Sequence, residues 1–229
     1  MLRFDFLLWT FCKKYGHIEI SLYNIKEHNI KHCVQNCFCE EWELLLALVG
    51  VTGVGKSYYK ELIESELGFK RVNTIRTRAI RQGEVLGQSG LFFTKEELDK
   101  YEAEGKIAYR FSAFGGEYAY LKDEIYSDED YVFEMHYTTI YDWKKVRPDI
   151  KTIYLLPNDM EKARQMVRER HLDAEKEAER LQEMDEHYSR YMSDENLRKQ
   201  FDYVIYNNYN QKSTDELFQL IKKMKGENN

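Results

Sequence analysis

Residues 50–57 read Gly50-Val51-Thr52-Gly53-Val54-Gly55-Lys56-Ser57, which satisfies the pattern G-x-x-x-x-G-K-[ST]. Before it stands Leu44–Val49 (Leu-Leu-Leu-Ala-Leu-Val), the continuous apolar run that a parallel strand buried on both faces requires. After it, Lys56–Leu67 predicts a helix, with Gly68 in the usual stop position. Strand, glycine-rich turn and helix form the context in which this pattern has a mechanism. Glycines let backbone N–H groups curl around a phosphate chain, and the helix N-terminus behind them adds partial positive charge. Lys56 is the candidate to reach the β- and γ-phosphates, and the Ser57 hydroxyl to hold Mg²⁺. The stretch predicts a bound nucleoside triphosphate with Mg²⁺.

Further along, short apolar runs at Asp130–Met135, Lys151–Leu156 and Asp202–Tyr206 predict more core strands. Helical stretches near Thr139–Val146, Asp159–Met192 and Ser213–Lys225 alternate with them, which implies an α/β domain with a parallel sheet flanked by helices. Asn158 and Glu161 are expected to cap the second of these. Residues 74–122, rich in glycine and aromatics with strand-like pieces at Leu91–Thr94 and Ile107–Phe111, interrupt the alternation as an inserted lobe. The organised domain is expected over 44–229, behind an extension at 1–43.

The chain has 229 residues, a net charge of −6 and 43% hydrophobic residues, which suits one globular domain and excludes wholesale disorder. Its acidic balance argues against a nucleic-acid coat, and no apolar run is long enough for a membrane-spanning helix. No nucleic-acid or membrane partner is expected, and a cytoplasmic location is. All four cysteines (Cys12, Cys33, Cys37, Cys39) fall in the first 39 residues, with His17, His28 and His32. Their C-x3-C-x-C spacing is not that of common zinc modules, so they predict no metal site.

A second cluster chooses between hydrolysis and transfer. Arg76, Arg78 and Arg81 lie within six residues at the entrance of the inserted lobe, and such spacing beside glycine suits a pocket for a second phosphate. A donor triphosphate facing an acceptor phosphate is the layout of a phosphoryl-transfer enzyme.

Here the sequence resembles the guanylate kinases. Thr77–Glu84 followed by Gly87 and Phe92 is similar to their signature T-T-R-x-P-R-x-G-E and G-x-D-Y-x-F, and the resemblance runs over about residues 44–225. It implies a P-loop kinase fold: a five-stranded parallel sheet flanked by helices, an inserted nucleoside-monophosphate lobe (74–122) and a helical lid (about 159–198). It implies that Arg78, Arg81 and Tyr118 hold the acceptor phosphate and that Glu84 is the signature glutamate. Arg170 and Arg180 resemble lid arginines acting on the donor, with Arg168 a further candidate. Asn207 resembles the asparagine at the adenine edge of ATP.

Base reading departs from the family, which grips guanine with two carboxylates and two hydroxyls. Tyr109 and His136 stand where those carboxylates would be, Tyr120 replaces a serine, and Gly90 replaces a phosphate-binding tyrosine. Thr74 alone keeps a hydroxyl of that set. On sequence alone, GMP is expected to be a poor acceptor; were GMP instead the preferred one, Glu117 from the neighbouring turn would have to supply the missing carboxylate. The implied activity is transfer of the ATP γ-phosphoryl to a nucleoside monophosphate. The alternatives are another nucleotide or sugar phosphate as acceptor, or a non-catalytic binding module.

Overall fold

The computed structural model describes residues 43–80, 84–87, 90–113 and 115–226. The extension at 1–43, with its cysteines and first three histidines, falls outside the described residues except for Glu43, as does Arg81.

Among the described residues, nine strands form two sheets. The larger is parallel, in the order β2 (Lys70–Arg71), β7 (Tyr131–Glu134), β1 (Leu45–Gly50), β8 (Lys151–Pro157), β9 (Tyr203–Asn207). All six residues of β1 are buried. With a side-chain period of two, Leu45, Ala47 and Val49 enter one cluster and Leu46 and Leu48 the other. That is why the strand reads as an unbroken apolar run. Tyr59 and Ile63 of α1 (Lys56–Leu67) and Leu217 and Ile221 of α8 (Gln211–Met224) cover one face, each pair at helical i, i+4 spacing. The other face carries Trp143 of α4 (Ile140–Val146), packed edge-on against Tyr120, and Tyr191 of α6 (Ala174–Ser193), stacked on Tyr154 at 3.7 Å.

The smaller sheet has the order β4 (Leu91–Phe92), β3 (Ile75–Arg76), β6 (Gly116–Leu121), β5 (Ile107–Ala113). It occupies the stretch expected as an inserted lobe. Its outer face packs on α2 (Lys95–Ala103) through Ile75, Ala119 and Leu98. Helix α2 begins with a capping box between Thr94 and Glu97. A short α3 (Lys122–Ile125) leads back towards β7.

The long helix expected over 159–192 is two. Helix α5 (Met160–Arg168) ends before His171, whose φ of 51° turns the chain, and α6 restarts where Asp173 accepts from the Lys176 N–H. The cap of α5 is Asp159, which accepts from the N–H groups of Glu161 and Lys162; Asn158 instead donates to Asn208. A four-residue α7 (Glu195–Arg198) completes the segment. Among the described residues, no helix is long and apolar enough to cross a membrane.

His187 of α6 is 6% exposed, lies face to face with Tyr137 at 4.0 Å and shares a 3.1 Å hydrogen bond with the Tyr154 hydroxyl. Burial pushes its pKa down to about 3, with the Lys56 and His136 charges acting in the same sense. The neutral ring is therefore native. Its stabilising contribution is whole above the unfolded-state pKa of about 6.5 and is lost as pH falls towards about 3. Urea unfolding at pH 7 and pH 4.5 should show wild type losing more stability on acidification than His187→Gln. The difference should approach ~1.4 kcal/mol per pH unit; equal acid sensitivity of the two proteins would refute it.

Candidate active site

The loop between β1 and α1 lies where the two central strands leave the sheet. Gly53 has φ of 78°, and a Cβ there would collide with the Ala163 carbonyl of α5, so only glycine fits. Gly55 caps α1 in the left-handed region, φ 91°. Lys56 reaches back across the loop, donating from Nζ to the carbonyl oxygens of Gly50 (2.8 Å) and Val51 (2.9 Å). Burial lowers its pKa; Glu134 opposes that shift, while the positive charges of Arg170 and Arg180 add to it. The two lid arginines singled out by sequence thus act on the same ammonium group. Arg180 is paired with Glu183 at 2.6 Å and Arg168 with Glu161 at 2.7 Å, each within its own helix.

Glu134, at the carboxyl end of β7, was not among the sequence candidates. It bonds Lys60 at 2.8 Å and accepts from the Ser57 hydroxyl. Burial pushes its carboxyl up, but Lys60, Lys56 and these hydrogen bonds more than offset that and hold it ionised. The signal was present in the sequence: an acid closing an otherwise apolar parallel strand, beside the strand that feeds the loop. A hydroxyl and a carboxylate at the loop fit Mg²⁺, which binds through one or two protein oxygens and takes the rest from phosphates and water. No three-residue metal cage exists among the described residues, and this ion needs none.

The described residues expected on the acceptor side include Arg78, Tyr118 and Tyr120 on the inner face of the smaller sheet. Arg78 makes a bidentate pair with Glu84, at 2.7 and 2.5 Å, and bonds the Tyr118 hydroxyl, while its buried Nε has no hydrogen-bond partner. Arg76 lies beside it, both guanidinium groups resting on the Phe92 ring at 5.9 and 5.6 Å. Burial and the neighbouring Arg78 charge push the Arg76 pKa down. A Cβ at Gly90 would collide with Nη1 of Arg76, so the glycine opens the space this guanidinium fills. Arg76 was seen as part of the arginine cluster but not assigned a role. The signal was the pairing of an added arginine with a lost side chain at position 90.

Tyr109, Phe111, Tyr118 and Tyr120 stack along the same face, successive rings 5.3–6.4 Å apart. Tyr120 is 5% exposed, wedged against Trp143 and Phe133, and its hydroxyl bonds Thr74; it forms the floor rather than a contact surface. Tyr109, Phe111, His136, Thr138, Thr139 and Asp142 border a cavity of about 350 Å³. His136 shares a 2.7 Å hydrogen bond with Thr138, and burial keeps its ring neutral by lowering its pKa. Glu117, the carboxylate that a preference for GMP would call on, points to the opposite face, bound by Arg110 at 2.6 Å. Tyr109 instead donates to the Asp142 carboxylate of α4 at 3.4 Å.

The guanylate kinase family model matches residues 43–224 of this chain. The guanylate kinase of Streptococcus pneumoniae (strain ATCC BAA-255 / R6) is 29% identical over 171 residues, covering 72% of this chain and 79% of that protein. That of Wolbachia pipientis wMel is 26% identical over 189 residues, covering 79% and 90%. Among solved structures, the guanylate kinase from Anaplasma phagocytophilum superposes with a TM-score of 0.57 at 19% identity, over 79% of this chain and 85% of that one.

Asn207, expected at the adenine edge, lies beneath the loop at the end of β9. It is 2% exposed; Nδ2 donates to the Val54 carbonyl (2.9 Å), and Oδ1 accepts from the Tyr59 hydroxyl (2.8 Å) and the Tyr209 N–H (2.7 Å). The amide holds the loop from beneath through these three bonds. Asn207→Ala should cost roughly 1–3 kcal/mol, since it strands buried partners. It should also raise the KM for ATP more than that for the acceptor. A KM for ATP that stays at the wild-type value in this variant would rule out the loop-bracing role.

Proposed function

The chain belongs to the guanylate kinase family, and on that premise we propose that it moves the γ-phosphoryl group of ATP to the phosphate of GMP. The reading is supported by two phosphate-directed cation groups, one beside the glycine-rich loop and one on the smaller sheet. Lys56 with Arg170 and Arg180 stands on the loop side, and Arg76 with Arg78 and Tyr118 on the smaller-sheet side. An intact Lys56 and Ser57 favour catalysis over a binding module, which has no use for them.

In this reading an acceptor phosphate oxygen attacks the γ-phosphorus in line, and the bond from that phosphorus to the β-phosphate oxygen breaks as ADP leaves. Loop N–H groups and Lys56 orient the donor, and Arg170 and Arg180 offset charge on the migrating group. Arg76 and Arg78, through donors that include the unpartnered Nε of Arg78, fix the acceptor phosphate. Ser57 and Glu134 would hold Mg²⁺, which when bound neutralises charge on the β- and γ-oxygens.

Two substitutions test the two sides. Lys56→Ala should reduce kcat by at least about 10²-fold with an unchanged melting temperature, because Lys56 touches only loop carbonyls by direct hydrogen bond. Turnover at the wild-type level would remove the loop from the mechanism. Arg76→Ala should raise the KM for GMP about tenfold while leaving inhibition by guanosine, which has no phosphate, unaltered. Equal weakening of GMP and guanosine would mean that Arg76 shapes the lobe rather than binds phosphate.

A further inference from the structure

The cavity beside the aromatic ladder has a floor of rings and one charged wall. Tyr109 and Phe111 lie nearly parallel, 16° apart at 5.3 Å, a surface on which a flat base can stack. Among the described residues bordering the cavity, Asp142 is the one carboxylate. Its side chain is half exposed and hangs from the first turn of α4, held by Tyr109 on Oδ2 (3.4 Å) and by Lys145 on Oδ1 (2.9 Å). Lys145 sits on the solvent side with 76% of its side chain exposed, so this pair is wet at both ends and readily exchanged for a ligand. Lys145 and the Tyr109 hydroxyl together keep the carboxyl ionised, its pKa held below the usual range.

A carboxylate only accepts hydrogen bonds, and each of its oxygens can take more than one. The bases differ in what they offer such a group. Adenine and cytosine set an amino group beside a ring-nitrogen lone pair, and uracil and thymine set one N–H between two carbonyls, so each turns an acceptor towards the charge. Guanine alone of the five places two donors side by side, N1–H and the 2-amino group. Other groups on the cavity wall are neutral: His136 by burial, Tyr109 because burial and Asp142 push its pKa up to about 12.

We propose that Asp142 is the specificity-determining residue of the acceptor site, its carboxylate accepting from N1–H and the 2-amino group of guanine. This rests on the acceptor reading given above and assigns base recognition to α4 in place of the two positions now held by Tyr109 and His136. Arg76 and Arg78 anchor the phosphate at the other end of the same sheet face.

GMP and IMP differ only in the 2-amino group, so their ratio isolates the contact. Steady-state kinetics with both, at saturating ATP, would be measured for wild type, Asp142→Asn and Asp142→Glu, with melting temperatures as a check on folding. Wild type should prefer GMP over IMP in kcat/KM by at least about 10²-fold, as expected when a polar site loses a partner. Asp142→Asn should lower kcat/KM for GMP about 10²-fold, lower that for IMP less, and shrink the GMP-to-IMP ratio to a few-fold, with the KM for ATP unmoved. Asp142→Glu should restore part of the preference. A GMP-to-IMP ratio that survives Asp142→Asn overturns the assignment of Asp142 and leaves the acceptor reading standing. A wild-type enzyme that phosphorylates neither GMP nor IMP overturns the acceptor reading and the assignment with it.

Discussion

Strand β1 is buried on both faces, and from that constraint the position of the site follows. A strand with no exposed face cannot carry polar side chains along its length, so chemistry is confined to its carboxyl end. There the chain must turn, and the turn that fits is one whose glycines avoid Ala163 on one side and lead into α1 on the other. Backbone N–H groups freed from the sheet are the donors of the proposed anion cradle. Asn207, Tyr59 and Tyr209 then fix that cradle from below, through bonds spanning some 150 residues of sequence. The same network that shapes the loop also closes the β9 side of the sheet.

Gathering cations beside this loop has an electrostatic cost that the fold meets with acids placed between them. Lys56 feels Arg170 and Arg180 as unfavourable neighbours, but Glu134 and Glu183 oppose that effect. On the acceptor side Glu84 plays the same part for Arg78. Such arrangements hold positive groups close without collapse, and phosphate oxygens can then exchange with the resident carboxylates. An acid in the cluster is therefore compatible with the phosphate-binding role proposed for these cations.

Much of this was legible in the chain. The strand–loop–helix unit declares itself at residues 44–68 because strand burial, loop chemistry and helix stop agree within one short stretch. What was missed shares a different physics. Strand β2 has two residues, too few for any period. The break between α5 and α6 depends on a left-handed His171 and an Asp173 cap, both hidden in a charge-dense run that reads equally well as one helix. The resemblance names Asn207 only for the adenine edge; its bracing of the loop depends on Tyr59 and Tyr209, whose proximity only the folded chain creates. Glu117 is a carboxylate near the acceptor residues in sequence, but alternation along β6 sends it towards Arg110 while Tyr118 and Tyr120 turn inward.

The acceptor site illustrates how one surface can be rebuilt without moving its scaffold. At Gly90 a side chain is absent and Arg76, one strand over, fills the space. At Tyr109 a ring stands where the family has a carboxylate, and a carboxylate reaches the same cavity from α4, touching that ring's hydroxyl. In both cases the charge or bulk lost at one position returns from a neighbouring element, within reach of the same point in space. Sequence comparison position by position reads each change as a loss, because it has no term for compensation between elements. The cavity responds to what lies on its wall, whichever strand or helix supplies it, and so conserves its chemistry while its residues differ.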